Sequence, residues 1–230
     1  VNATPAAPTV TPSAITICRG ATTTLTAASQ PIVVNSTCGT ITVPAGAPTT
    51  TNGVASPYPC SINVSGFPTV GNVVVKSVTL NGVTHAFPDD LDIVLQSPNG
   101  QNVILMSDVG GNNSITNVNY VFDDAAAAMS DAGANPAGTY RPTNIGTGDA
   151  WAAPGPGTFN QTTPRLSDFA GNFNGDWKLF VVDDAANNVG SITSWSITFQ
   201  RLDGAIWTPV TGLFTNPAAT VPYVAGTYAS

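Results

Sequence analysis

The decapeptide LDIVLQSPNG, residues 91–100, is the stretch that decides the fold. Its first six residues alternate between two faces, with Leu91, Ile93 and Leu95 on one and Asp92, Val94 and Gln96 on the other. This two-residue period predicts a half-buried β-strand. The SPNG sequence that follows predicts a tight hairpin turn, because proline presets one turn angle and Asn-Gly tolerates positive φ.

Further apolar runs of strand length lie on both sides of this hairpin, and turn clusters separate nearly all of them. We expect an all-β fold. The last two runs carry large apolar side chains on one face, beginning with Trp177 and Trp195, so we expect them to form a central antiparallel pair. The predicted strands are TITV (40–43), NVVVKSVTL (72–80), NVILMS (102–107), NVNYVF (117–122), DWKLFVVDD (176–184) and SITSWSITFQ (191–200).

Residues 123–164 are the least regular part of the chain and are rich in Ala, Gly, Asn and Pro. The AAAAM run at 125–129 predicts one or two helical turns. Tyr140, Trp151 and Phe159 predict that the rest is a long ordered excursion, because buried aromatic rings anchor such segments.

The chain contains few charged residues, and most of them are acidic. Thirteen Asp and no Glu stand against six Lys and Arg in 230 residues, giving a formal charge of −7. Nucleic acid and anionic lipid are therefore disfavoured as partners, and calcium is the better electrostatic match. We find no apolar run long enough to insert into a membrane and no signal-peptide pattern, so the chain reads as a mature or excised segment.

Three cysteines, Cys18, Cys38 and Cys60, lack the short paired spacings of a zinc site. We predict a disulfide between Cys38 and Cys60, because both lie in Pro- and Gly-rich loops that a cross-link would stabilise. Cys18 is then unpaired or bonded elsewhere. The scarcity of Lys, the absence of Glu and the abundance of Thr and Pro favour an extracellular protein.

The two ends of the chain differ from the middle in their pattern of apolar and proline residues. Residues 1–14 predict an extended linker or an exchanged strand. A hairpin in ITICRGATTTLTA (15–27) and strand signals after residue 206 predict a small β unit built from 15–35 and 201–230. The main β unit then spans 36–200.

Several strings of the main unit together resemble the P domain, also called the proprotein convertase P or homo B domain, of bacterial secreted and surface proteins. The flanks are similar to an immunoglobulin-like repeat of the Bacteroidetes type. The resemblance implies a jelly-roll-like β-sandwich, usually found beside a catalytic domain or inside long extracellular proteins, and it also implies calcium. The strings are GVTHAFPDDLDIVLQSPNGQNVILMSDVGG, FDDAA, GTYRPTN with TGDAW, and LSDFAGNFNGDWKLFVVDDAANNVGSITSWSITF.

Aspartates at predicted strand ends are the main chemical feature. Loops converge there, and calcium takes six to eight oxygens from carboxylates, carbonyls and water. The alternative is that these side chains only cap turns. The candidate calcium ligands are Asp90, Asp92, Asp108, Asp123, Asp124, Asp183 and Asp184.

We find no catalytic pattern. His85 is the single histidine, and no Gly-x-Ser-x-Gly elbow accompanies it, so a structural hydrogen bond is its expected role. Exposed aromatic rings stack on sugars in some proteins, but core or anchoring roles are favoured here. The aromatic candidates are Tyr58, Tyr120, Tyr140, Trp151 and Trp207.

Three functions fit these features. The first is a non-catalytic, calcium-stabilised structural or adhesive module of a bacterial surface protein, joined to neighbouring domains or to copies of itself in a fibre by strand exchange. The second is an accessory domain, for targeting or chaperoning, of a secreted protease. This chain contains no subtilisin-like catalytic domain, so that role requires one elsewhere. The third is a carbohydrate-binding module.

Overall fold

The computed structural model describes residues 9–11, 23–24, 26–28, 31–45, 53–67, 73–202, 214 and 220–222. Nearly all regular structure in them is β, and two large sheets pack face to face, which confirms the all-β sandwich. Two 3-10 helices of a single turn, Pro88–Asp90 and Leu166–Asp168, interrupt the strands. Neither of these described helices has the length or apolar character that crossing a membrane requires.

Seventeen strands lie within the described residues. They are β1 Thr9–Thr11, β2 Thr26–Ala28, β3 Ile32–Asn35, β4 Ile41–Val43, β5 Gly53–Val54, β6 Cys60–Val64, β7 Val73–His85, β8 Leu91–Gln96, β9 Asn102–Ser107, β10 Ile115–Phe122, β11 Gly138–Tyr140, β12 Thr143–Asn144, β13 Ala150–Trp151, β14 Gly157–Thr158, β15 Gly175–Asp183, β16 Gly190–Ile192 and β17 Ser194–Arg201.

The first large sheet is built around β7, whose β-branched run VVVKSVT suits a long pleated strand. On one side β7 pairs with β10, which carries β11 in parallel. On the other side the two halves of β7 pair with β17 and β16, and these extend the sheet to β3 and β4. This sheet therefore has seven strands.

The second large sheet has the order β12-β9-β8-β15, and β5 and β6 both pair with the far side of β15. Strands β8 and β9 form the predicted antiparallel hairpin. Its turn closes through a 2.9 Å hydrogen bond from the Gly100 amide to the Ser97 carbonyl. Gly100 adopts φ of +80°, the conformation that makes glycine the favoured residue there.

The expected central pair of 176–184 with 191–200 is wrong. Strand β15 belongs to the second sheet and β17 to the first, so these strands do not pair with each other through their backbones. They meet instead through side chains across the core, where the Trp177 and Phe199 rings lie 5.6 Å apart in an edge-to-face arrangement. A two-residue period shows which face of a strand is apolar. It does not distinguish a strand that is hydrogen-bonded to it in the same sheet from a strand of the facing sheet that packs against it.

Strand β8 is buried on both faces, so the half-buried interpretation is also wrong. Leu91, Ile93 and Leu95 face the core between the sheets, as expected. Residues 143–161, which we call the covering segment, begin as strand β12 of this sheet and then cross its outer face. The second apolar cluster beneath it consists of Val94, Ile104, Phe180 and Val182 together with Trp151, and all five side chains are fully buried.

The covering segment belongs to the long excursion, which is ordered and anchored by aromatic rings, as predicted. Trp151 is fully buried, and Phe159 lies 5.1 Å from it between ring centroids. The predicted helix at 125–129 is wrong: these residues form a turn and a bend followed by irregular backbone. Their amide groups are engaged elsewhere; the Met129 amide donates to Thr143 Oγ1, and the Ala127 carbonyl accepts from the Arg141 amide.

The disulfide between Cys38 and Cys60 is present, with a Cα–Cα distance of 5.8 Å. Trp195 Nε1 donates a 2.9 Å hydrogen bond to Cys60 Sγ, so the cross-link is built into the core beneath the first sheet. Cys18 lies outside the described residues.

Little of the two ends is described. Thr9–Thr11, in the predicted linker or exchanged strand, pairs with Thr26–Ala28 of the same chain. Strand β3 joins the first large sheet although it precedes position 36, where the main unit is predicted to begin. A single bridge links Phe214 to Pro222. The rest of the predicted immunoglobulin-like unit lies outside the described residues and stays a prediction.

Candidate metal centre

Three carboxylates converge at one end of the second sheet. Asp92, Asp108 and Asp149 each offer an oxygen, and these three atoms all lie within 4.8 Å of one another. Asp92 and Asp149 are buried, and Asp108 is partly exposed. Like charges at this separation repel strongly unless protons or a cation neutralise them.

Each member of this carboxylate cluster comes from a different part of the chain. Asp92 is the second residue of β8, on the outer face that the covering segment buries. Asp108 directly follows β9, where a φ of +53° turns the chain out of the sheet. Asp149 belongs to the covering segment and directly precedes β13. The site therefore joins two neighbouring strands to the segment that lies over them.

Three buried oxygens of the site have no hydrogen-bond partner: Asp92 Oδ2, Asp149 Oδ2 and Asn144 Oδ1. The other oxygen of Asp92 accepts a 2.6 Å hydrogen bond from Ser107 Oγ. A buried polar atom without a partner destabilises the fold by about 1–3 kcal/mol, and by more when it carries charge. Asp92 and Asp149 are members of the carboxylate cluster, so a cation bound there would satisfy their unpartnered oxygens.

Burial raises the pKa of the cluster carboxyl groups. The pKa of Asp92 lies well above its usual value, first because of burial and then because Asp184, Asp149 and Asp108 repel its charge. Burial and the neighbouring Asp149 and Asp184 raise the pKa of Asp108 to about 7. Burial also raises the pKa of Asp149, while contacts with Ser107, Asp108 and Asn144 act in the opposite direction.

This arrangement is suited to a hard divalent cation. Calcium binds oxygen ligands at about 2.3–2.6 Å, so its ligands lie up to roughly 5 Å apart, and the 4.8 Å limit of the cluster fits that span. All the candidate donors are oxygens, which calcium prefers over nitrogen and sulfur. A bound cation would also remove the mutual repulsion of the three carboxylates.

Asp90, Asp183 and Asp184 lie beside this cluster, and the carboxyl groups of Asp90 and Asp183 are engaged in other contacts. Asp90 Oδ2 accepts a hydrogen bond from Asn188, and the Asp90 carbonyl accepts one from the Asp184 amide. Asp183 is fully buried, with Oδ1 bonded to the Ala185 amide. Partial desolvation, with Asp90 and Asp183 nearby, raises the pKa of Asp184 to about 6 although its side chain reaches the surface.

Asp123 and Asp124 make different contacts. Asp123 pairs with Lys76 at 2.7 Å and also accepts from the Ala125 amide. Asp124 accepts hydrogen bonds from the Leu166 and Ser167 amides, at the start of the second 3-10 helix. Both side chains thus act as caps and tethers, the alternative role that the sequence left open.

His85 is fully buried, with Nε2 3.0 Å from Asp183 Oδ2 and Nδ1 2.7 Å from the Phe87 carbonyl. The expected structural hydrogen bonding is therefore present. Among the aromatic candidates Tyr120 and Trp151 are core side chains. Tyr58 and Tyr140 donate their hydroxyl groups to the Ala152 and Pro136 carbonyls, and Trp207 lies outside the described residues.

Sequence reasoning missed Asp149 and Asn144. Both lie in the covering segment, where no strand period exists to assign a side chain to a face. The signal that was available is local: Asp149 stands between a glycine and the anchoring Trp151, in the string TGDAW.

The fold and the site define a β-sandwich with a buried carboxylate cluster at one end. No family model matches the chain, and no curated protein matches it. Among solved structures it is similar to a chain in the complex of an Aeromonas sobria serine protease with its chaperone, at 17% identity and a TM-score of 0.29, over 76% of this chain and 26% of the other.

A second structure, of the Aeromonas sobria serine protease, aligns at 15% identity and a TM-score of 0.29, over 75% of this chain and 26% of the protease. The chain thus spans about a quarter of the length of the structures it matches. Likeness at these values carries no conclusion about activity.

Proposed function

We propose that this chain is a non-catalytic, calcium-stabilised structural module of an extracellular protein, of the P-domain type that its sequence resembles. The observation that carries the proposal is the convergence of Asp92, Asp108 and Asp149, with buried unpartnered oxygens on two of them. Calcium is the cation whose size and ligand preference these residues meet best.

The stabilising role follows from where the ligands lie. Strand β8, the end of β9 and the covering segment contribute one carboxylate each, so a single cation links three parts of the chain. A ligand that binds only the folded state stabilises it in proportion to the logarithm of the ligand concentration over Kd. Removal of calcium is expected to destabilise the protein most at this end of the sandwich.

The proposal that the chain is non-catalytic is supported by the burial of its candidate acid–base groups. Asp92 and His85 have 1% and 0% of their surface exposed, so a substrate cannot reach either group without opening the fold. General acid and base catalysts must come within hydrogen-bond distance of the reacting atoms. The cluster is thus better placed to hold an ion than to transfer a proton to a substrate.

An extracellular location is supported by the Cys38–Cys60 disulfide, since such cross-links form and persist in oxidising compartments. The adhesive or fibre-forming role belongs to the same proposal. Strand β3 pairs with β17, and Val33 on it is 52% exposed, so this edge is where we place contact with a neighbouring domain or copy.

The decisive experiment combines calorimetric titration with thermal unfolding. The wild-type chain, stripped with a chelator and dialysed, is titrated with CaCl₂ and with MgCl₂, and its Tm is measured with each ion. We expect one calcium site, a Tm that rises with calcium concentration, and a smaller effect of magnesium.

Asp149→Asn is the test variant and Asp131→Asn the matched control, because Asp131 is an exposed aspartate outside the cluster. We expect calcium to raise the Tm of the control as it does that of wild type, and to have little effect on the test variant. A wild-type Tm that is the same in calcium and in chelator would refute the proposal.

A further inference from the structure

We infer that Asn144 supplies an uncharged oxygen ligand to the cation, and that the bound cation thereby fastens the covering segment to the ends of β8 and β9. The inference rests on the proposed calcium site and adds to it a ligand that is not a carboxylate. It also identifies the part of the molecule whose order depends on the ion.

The first observation is the state of the Asn144 side chain. Its Oδ1 atom is buried and has no hydrogen-bond partner, while its Nδ2 atom lies 3.3 Å from both Asn160 Oδ1 and the Gln161 carbonyl. These two acceptors hold the amide nitrogen toward the covering segment. The amide oxygen is left without a hydrogen-bond partner and is therefore able to bind a cation.

The second observation is the position of Asn144 relative to the carboxylates. In the parallel pairing of β12 with β9, Asn144 stands opposite Ser107, the residue that bonds Asp92 and precedes Asp108. The Asn144 side chain also lies within hydrogen-bonding reach of the Asp149 carboxyl group. Asn144 is therefore beside Asp149 and opposite the end of β9 that Asp108 follows.

An amide oxygen also suits the charge balance. Three ionised carboxylates already exceed the two charges of calcium, so a fourth carboxylate would add repulsion without need. Calcium sites use Asn and backbone carbonyl oxygens alongside carboxylates. Asn144 thus raises the ligand count without raising the negative charge.

The mechanical consequence follows from the weak pairing of the covering segment. Strands β12, β13 and β14 have two residues each, and β13 and β14 pair only with each other among the described strands. Two ligands, Asn144 and Asp149, flank the turn that leads to Trp151. Their attachment to one cation holds Trp151 over the second apolar cluster.

The test compares Asn144→Ala, Asn144→Asp and the control Asn112→Ala, an exposed asparagine outside the cluster. Calcium affinity and Tm, each with calcium and with chelator, are measured for all three and for wild type. We expect Asn144→Ala to weaken calcium binding about tenfold or more. Asn144→Asp, which keeps an oxygen at this position, should retain the rise of Tm with calcium, and Asn112→Ala should behave as wild type.

Hydrogen–deuterium exchange supplies the second readout. In wild type, calcium should slow exchange in peptides of the covering segment while β15 stays protected with or without the ion. Asn144→Ala should abolish that calcium-dependent slowing.

Two outcomes would overturn this inference while leaving the proposed site intact: wild-type calcium affinity in Asn144→Ala, or an equal loss in Asn144→Ala and Asn144→Asp, which would show that an oxygen at position 144 does not support calcium binding. If wild type binds no calcium, the proposed function fails first.

Discussion

Ser107 donates a 2.6 Å hydrogen bond from Oγ to Asp92 Oδ1, and the second oxygen of this carboxylate is buried without a hydrogen-bond partner. Both side chains are buried, and the hydrogen bond between them holds the carboxylate in one orientation. The free oxygen is thereby kept available to a ligand. Removal of a group that orients a metal ligand in this way commonly lowers metal affinity about 10–100-fold.

Ser107→Ala is therefore expected to weaken calcium binding by about tenfold or more, because Asp92 loses the bond that orients it. Isothermal titration measures the effect. Ser114→Ala, at an exposed serine, is the control and should bind calcium as wild type does. Unchanged affinity in Ser107→Ala would show that the orientation of Asp92 does not depend on the hydroxyl group.

The stability of the calcium-free protein is expected to fall as pH rises from about 4 to about 7. The pKa of Asp108 is raised from 3.8 to about 7 in the folded protein, so the folded state binds more protons than the unfolded state between these values. Ionisation over this range therefore favours unfolding. Asp184, with its pKa raised to about 6, acts in the same direction.

Calcium should reverse this trend, because it binds the ionised carboxylates and competes with protons. Its affinity should increase from pH 5 to pH 8, and so should the difference in Tm between calcium and chelator. Denaturant unfolding and titration at several pH values test both statements. Calcium affinity that does not vary across this range would contradict the assignment of Asp108 as a ligand.

Trp151→Ala is expected to lower the free energy of unfolding by about 3–5 kcal/mol, the usual cost of removing a large buried side chain. Trp151 is fully buried, packs against Phe159, and donates a 3.3 Å hydrogen bond from Nε1 to the Asp92 carbonyl. Urea unfolding in the presence of calcium provides the measurement.

Trp151→Phe keeps an aromatic ring in the covering segment but loses the indole N–H and the volume of the second ring. It should cost less than the alanine variant. If Trp151→Ala unfolds at the wild-type urea concentration, the covering segment does not contribute to the stability of the sheet beneath it.

Removal of the disulfide in Cys38→Ser/Cys60→Ser is expected to cost about 2–4 kcal/mol, because the cross-link closes a loop with a sequence separation of 22. Serine at position 60 keeps an acceptor near Trp195 Nε1. Urea unfolding with and without a reducing agent measures the loss. Reductant should lower the stability of wild type toward that of the double variant and leave the variant itself unchanged.

The hairpin shows how much of the fold was predictable. In LDIVLQSPNG the alternation and the turn residues act locally, so they predicted β8 and its turn without knowledge of any distant residue. The Cys38–Cys60 pairing and the aromatic anchors of the excursion were also predicted correctly. The assignment of β15 and β17 to different sheets was not predicted. The same alternating pattern is found in strands that hydrogen-bond to each other within one sheet and in strands that pack against each other across a core.

The candidate site likewise contains some residues that the sequence predicted and others that it did not. Asp92 and Asp108 lie at the predicted ends of strands, and the sequence names them as candidate ligands together with five other aspartates. Asp149 and Asn144 lie in a segment without periodicity, and its path over β8 is set by contacts such as Trp151 with the second apolar cluster. No local rule places such residues.

By itself the sequence determined the all-β class, the principal hairpin and the acidic character that favours a cation. These follow from local periodicity, turn chemistry and composition, which do not depend on how distant segments meet. Only the tertiary structure decided which aspartates share one site and which act as caps, because carboxylates separated by tens of residues come together only when the covering segment packs onto the second sheet.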